Sequence, residues 1–136
     1  MEAQIKLEIV TPERRKVSEL VDEVTATGFD GYFGVLLGHT PFLASLKLGE
    51  ISYKMGESRK LLTVFWGYAE VMSDRVTILA QIAERPEEID VERAQAAKTR
   101  AESRLASRGD GTMDFERAQI ALQKALIRLQ VASKGR

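Results

Sequence analysis

The densest set of chemically capable side chains is cationic, and it repeats. Ile89-Asp90-Val91-Glu92-Arg93-Ala94-Gln95 returns 24 positions later as Met113-Asp114-Phe115-Glu116-Arg117-Ala118-Gln119, and Ala97, Ala101, Arg104 and Leu105 return as Ala121, Ala125, Arg128 and Leu129. At about 100° per residue, Arg93, Arg100 and Arg104 share one flank of a first helix, and Arg117, Lys124 and Arg128 share the same flank of a second. In an antiparallel pair equivalent flanks come to one side, so a closed hairpin gathers six cations along one edge. Those charges repel one another unless an anion lies across them, and a phosphate chain would add charge-assisted hydrogen bonds. On an arbitrary helix such a flank is a solvated face; its recurrence in both copies is what raises the anion-binding reading.

Elsewhere chemistry is sparse. The chain has one His, His39, and no Cys, which together exclude thiol catalysis, disulfides, Cys-based zinc sites and most His-based catalysis. A metal site would need carboxylates alone, and no carboxylate pair stands at a recognisable catalytic spacing. Gly28, Gly31, Gly34 and Gly38 superficially suggest a phosphate loop. A P-loop needs Gly-Lys-Ser/Thr opening a helix, and a dinucleotide fingerprint needs G-x-G-x-x-G between strand and helix; here the spacing differs and His39 follows Gly38. The glycines suit turns and bulges instead, and His39, close to Pro41, suits a structural or interface role.

The elements that must carry these residues change character at Arg85-Pro86. Up to Glu84 there are 9 basic and 12 acidic residues, net −3; beyond it there are 11 and 8, net +3, so the neutral total conceals an asymmetry. Eight of the nine aromatics and seven of the ten glycines also precede Arg85. In the first part Ile5, Leu7 and Ile9 alternate with Lys6 and Glu8, and Ile51, Tyr53 and Met55 alternate with Ser52 and Lys54, the period of half-buried strands. Gly56-Glu57-Ser58 turns the chain into Leu61–Trp66, and Ser73-Asp74-Arg75 turns Tyr68–Met72 into Val76–Ala80. Short strands at regular turns suggest an antiparallel β-sandwich or barrel over residues 1–84.

The repeated tail predicts a two-helix antiparallel hairpin over residues 88–136, turning at Arg108-Gly109-Asp110-Gly111, with Asp90 and Asp114 (or Thr112) as N-caps. Val91, Ala94, Ala101 and Leu105 form one apolar stripe, and Phe115, Ala118, Leu122, Ala125 and Leu129 the other. The first is mostly Ala and buries little area, so the hairpin is marginal alone and needs a surface to dock on. The fold class is thus α+β, with Pro86 in the linker.

At 136 residues the chain holds one ordinary domain, or a small one with an appendage. Zero net charge argues against a nucleic-acid backbone as main partner. Met1–Val10 alternates polar and apolar residues, so no cleaved targeting segment is expected. Leu61–Ala69, the longest apolar stretch, is far short of the ~20 residues that span a bilayer, so membrane association must come through a partner.

The run from Gly28 to Ala44, with Gly31, Gly34, Gly38, His39, Pro41 and Leu43 in the pattern G-x-x-G-x-x-G-x-x-x-G-H-x-P-x-L, resembles the epsilon subunit of bacterial F-type ATP synthases. The likeness extends over the whole chain. It implies a non-catalytic rotor subunit, peripheral on the cytoplasmic face of the inner membrane. The sandwich would hold the gamma subunit and the c-ring, with Gly31, Tyr32, Gly38, His39 and Pro41 at that interface. The helices would reach the alpha and beta subunits to inhibit ATP hydrolysis, and a cationic tail suits an acidic partner surface. Some members bind ATP through an I/L-D-x-x-R-A segment, which here is Ile89-Asp90-Val91-Glu92-Arg93-Ala94. The resemblance adds Arg100, Arg128 and Glu84 to that site, with Lys124 where a strong binder has Arg. Lys keeps the charge and loses the bidentate fork, which implies weak ATP binding and no required cofactor. A stand-alone adaptor or nucleotide-sensing module of the same architecture is the alternative, and an enzyme acting through carboxylates a distant third.

Overall fold

The alternating runs do become strands. A computed structural model describes residues 4–28, 31–38, 40–107 and 112–135. The first strand, β1 (Ile5–Val10), buries Ile5, Leu7 and Ile9 completely. It is followed by β2 (Arg15–Val21), β3 (Glu23–Gly28), β4 (Gly31–Val35), β5 (Phe42–Met55), β6 (Ser58–Val71) and β7 (Arg75–Glu84). The hairpin between β5 and β6 turns at Gly56-Glu57, where Gly56 has φ 64, the conformation such two-residue turns ask of their first residue.

The strands lie in the order β2-β1-β7-β6-β5-β3-β4. Non-neighbours β2 and β5 nevertheless touch, and the Phe33 and Phe42 rings meet edge to face at 5.4 Å, because the sheet folds over on itself into two layers. The means of folding is a change of inward face within the two longest strands. β5 turns Phe42, Ala44, Leu46 and Leu48 toward the interior and then Ile51, Tyr53 and Met55, switching from even to odd positions. β6 switches likewise, from Leu62 and Val64 to Phe65, Ala69 and Val71. The ladder lacks a pair at Trp66, whose φ of 51 is rare for a bulky residue. The next residue, Gly67, lies so close to β7 that a Cβ there would sit on Leu79 O and 2.8 Å from Ala80 Cα.

Two sequence expectations change here. Leu61–Trp66 and Tyr68–Val71 lie in one 14-residue strand, which ends just before Met72, rather than in separate short ones. The sandwich is also not wholly antiparallel: β1 runs parallel to β7, from Lys6↔Arg75 to Val10↔Leu79, while the other pairings are antiparallel. The chain returns from β1 to β7 through all the intervening strands, a separation at which no turn dictates direction. Among the described residues the one buried polar side chain is Thr63. Its hydroxyl donates to Glu84 Oε1 at 3.0 Å and accepts the Glu84 N–H at 3.1 Å, pinning the end of β7 to β6.

The chain divides into two compact units, Met1–Arg85 and Pro86–Arg136. In the second, Pro86 is buried in a 3-10 turn, Pro86–Glu88, so the expected linker is folded. Then come α1 (Val91–Ala106) and α2 (Thr112–Gly135), packed on each other. Asp90 caps α1 as expected, accepting the Arg93 N–H at 3.1 Å; α2 already begins at Thr112, so Thr112 and Asp114 lie within the helix rather than capping it, and the expected turn at 108–111 lies outside the described residues. The seam buries Ala94, Ala101, Ala118 and Ala125, with Leu105, Leu122 and Leu129 half-buried. Val91 and Phe115 are exposed, contrary to expectation: each lies about 60° round its helix from the seam alanine three residues on. α2 also buries Ile127 and Val131, which the repeat-based stripe omits.

Candidate functional site

The anion-binding residues expected from the sequence are Glu84 in the sandwich unit and Ile89, Asp90, Arg93, Arg100, Lys124 and Arg128 in the helical unit. Ile89 is buried and its N–H donates to Pro86 O, which anchors the segment entering α1. Asp90 spends Oδ1 on its cap, a bond worth about 1 kcal/mol to the helix. Arg93, Arg100 and Arg104 are exposed along α1, spanning about 16 Å of helix at 1.5 Å per residue. On α2, Arg117 is exposed, whereas Lys124 and Arg128 are half-buried and engaged with partners. The expected edge of six cations therefore differs along its length, open on α1 and partly committed on α2. Chemically it offers guanidinium donors to an anion. Glu84 is held by Thr63 in both directions.

Of the expected interface residues, Gly31 and Tyr32 open β4 in register with Gly28 and Thr27, and Tyr32 is 72% exposed. Both line a cavity of about 260 Å³ whose wall includes Ala44, Leu46 and Leu48. Gly38 and Pro41 do not line it. They follow β4, and the Gly38 N–H donates to Ser73 O at 2.7 Å, tying that loop to the turn between β6 and β7. His39 lies outside the described residues. Among the described residues no cluster of His, Asp or Glu is arranged to hold a metal, and no helix is long and apolar enough to cross a membrane.

The structure adds a surface that the sequence reading missed. On the outer side of β5, β6 and β7, Leu43 is 71% exposed, Tyr68 58% and Leu79 53%, with Trp66 and Met72 on the same side. Tyr68 stands between Leu79 of β7 and Ser45 of β5 in register. A groove of about 350 Å³ runs from Trp66, Tyr68 and Leu79 to Val10, Thr11 and Pro12. Exposed apolar side chains gathered on one face of a sheet, here interrupted by Glu70 opposite Leu43, mark an interaction surface. The available signal was Trp66 and Tyr68 two residues apart, with Met72 four positions further on. It disappeared once that stretch was divided at Gly67, because the face is outward only after the strand has switched sides.

Comparison with known proteins agrees with both units. Residues 4–86 match the family described as ATP synthase, Delta/Epsilon chain, beta-sandwich domain, and residues 87–133 its long alpha-helix domain. A relative from Syntrophobacter fumaroxidans named ATP synthase epsilon chain is 54% identical over 134 residues, 98% of this chain and 99% of the relative. One of the same name from Geotalea uraniireducens is 50% identical over 135 residues, 99% and 98% of the two chains. A chain in the cryo-EM structure of Euglena gracilis mitochondrial ATP synthase, OSCP/F1/c-ring in rotational state 1, superposes with a TM-score of 0.82 at 26% identity, covering 98% of this chain and 83% of that one. With a sandwich and a helical pair in the same order, and relatives matched end to end, the chain belongs to the ATP synthase delta/epsilon chain family.

Proposed function

We propose that the chain is a non-catalytic central-stalk subunit of a bacterial F-type ATP synthase, peripheral on the cytoplasmic face of the membrane. Its sandwich fastens to the gamma subunit and the c-ring, and its helices restrain ATP hydrolysis by the alpha and beta subunits. The observation that carries the reading is the apolar outer face of β5, β6 and β7, where Leu43, Tyr68 and Leu79 spend more than half their surface in water. A monomer gains nothing from that exposure, and a partner covering it gains about 25 cal/mol per Å². By resemblance Gly31, Tyr32, Gly38, His39 and Pro41 are assigned to the interface with gamma and the c-ring.

The test is co-elution with gamma on gel filtration. Tyr68→Asp with Leu79→Asp lies on the outer face and leaves the core intact, so the fold and its unfolding temperature persist while the complex with gamma is lost. Retained binding in the double variant refutes the assignment of this face. ATP is proposed as a weak regulatory ligand of the helical pair, supported by the exposed guanidinium row Arg93, Arg100 and Arg104 behind the Asp90 cap.

A further inference from the structure

α2 is longer than the helix it pairs with. α1 has 16 residues and α2 has 24, so at 1.5 Å per residue the surplus is about 12 Å, roughly two turns. In an antiparallel pair that surplus projects past the N-terminus of α1, and α2 does pack against the 3-10 turn at Pro86–Glu88. The approach is tightest at Gly135, where a Cβ would stand 2.7 Å from Pro86 Cβ and closer still to Pro86 Cγ. Gly135 has no positive φ, unlike Gly31, Gly38 and Gly56, so its backbone does not require glycine. What the position requires is the absence of a side chain. Pro86 is buried and its ring is fused to its own backbone, so it cannot swing aside as a long side chain would. The surplus turns also contain Val131 and Ala132, which are buried to 0% and 2% exposure.

We propose that Pro86 and Gly135 form a latch: the end of α2 is seated on the turn that begins the helical unit, and the closed hairpin opens from that end first. The contact joins the two ends of the unit, so α1 is held between a turn and a helix that grip each other. While it is closed, the end of α2 cannot leave the turn at Pro86–Glu88. As a regulatory device the latch rests on the reading of the hairpin as a mobile inhibitor; as a contact it is tested without any partner.

The experiment is amide hydrogen exchange on the isolated full chain carrying Gly135→Ala. The latch predicts at least tenfold faster exchange at the Ile89 amide, which donates to Pro86 O at 3.2 Å, and at residues 131–134, with the amides of Ala101 and Ala125 unchanged. Alanine favours helix over glycine, so without a latch the same amides exchange at the parent rate or slower, and that result overturns the proposal. Adding Pro86→Gly removes both Cβ and Cγ, the atoms the new methyl would meet, and restores exchange to within threefold of the parent; no recovery removes the Pro86 ring as the partner. In the assembled complex Gly135→Ala lowers ATP hydrolysis at least twofold, because the released helix is the inhibiting one. Tenfold faster exchange with unchanged hydrolysis upholds the latch and refutes the inhibitory reading instead.

Discussion

Replacing Thr63 with Val exchanges one buried side chain for another of the same shape, and a packing argument alone predicts no harm. The hydroxyl, however, donates to the Glu84 carboxylate and accepts the Glu84 N–H at 3.0 and 3.1 Å, with Thr63 itself fully buried. A bond to a charged acceptor contributes about 1.5–3 kcal/mol and a neutral one about 0.5–1.5. The new methyl returns about 0.8 kcal/mol of apolar burial. The net loss is therefore about 2.5 kcal/mol. Thr63→Ser keeps both bonds and loses only a methyl, at about 1 kcal/mol. For a unit the size of Met1–Arg85, at about 4–8 °C per kcal/mol, the valine variant melts roughly 10–20 °C lower and the serine variant about half as far or less. Thermal unfolding followed by circular dichroism at the strand signal reads both. A valine variant that melts within a degree or two of the parent, with serine the more damaging, would refute the reasoning.

At Gly67, Ala ought to stabilise an extended backbone by about 0.4–1 kcal/mol, yet the Cβ would meet the backbone of Leu79 and Ala80. Gly67→Ala should therefore lose about 3 kcal/mol through overpacking and a parted ladder, measured as a lower urea midpoint; a raised midpoint would show that the strands separate without cost. Deleting residues 88–136 should raise ATP hydrolysis by the assembled complex while assembly persists, and an unchanged or lower rate in a phosphate-release assay ends the inhibitory reading. Calorimetry of the isolated chain with ATP should show weak binding, weaker in Arg93→Ala or Arg100→Ala and tighter in Lys124→Arg, since the guanidinium fork binds phosphate bidentately; no heat at millimolar ATP assigns the row to protein docking.

What the sequence disclosed is what local chemistry encodes. Ile5, Leu7 and Ile9 announce β1 because period 2 is a property of neighbours, and Asp90 announces the start of α1 because a cap bonds within its own first turn. The change of composition at Arg85-Pro86 falls where the chain divides. The resemblance carried the family through a glycine pattern and not through any active-site chemistry. Hidden features are relations between distant residues. The parallel pairing of β1 with β7 leaves no local trace, and Trp66 conceals its φ because a bulky residue there contradicts propensity. Gly135 reads as a frayed helix end until Pro86 is seen against it. The flank of cations was legible as a pattern, but the partial burial of Lys124 and Arg128 depends on packing that a repeat cannot express.

The two strands that change their inward face have a mechanical consequence. In a sandwich whose layers meet only through side chains, a twisting load is resisted by dispersion contacts of about 0.1–0.2 kcal/mol each, and the layers shear. Here β5 and β6 each run 14 residues and pass from one layer into the other. Rotating one layer against the other would stretch two hydrogen-bonded backbones along their length. The sandwich therefore responds to torque as a single stiff body.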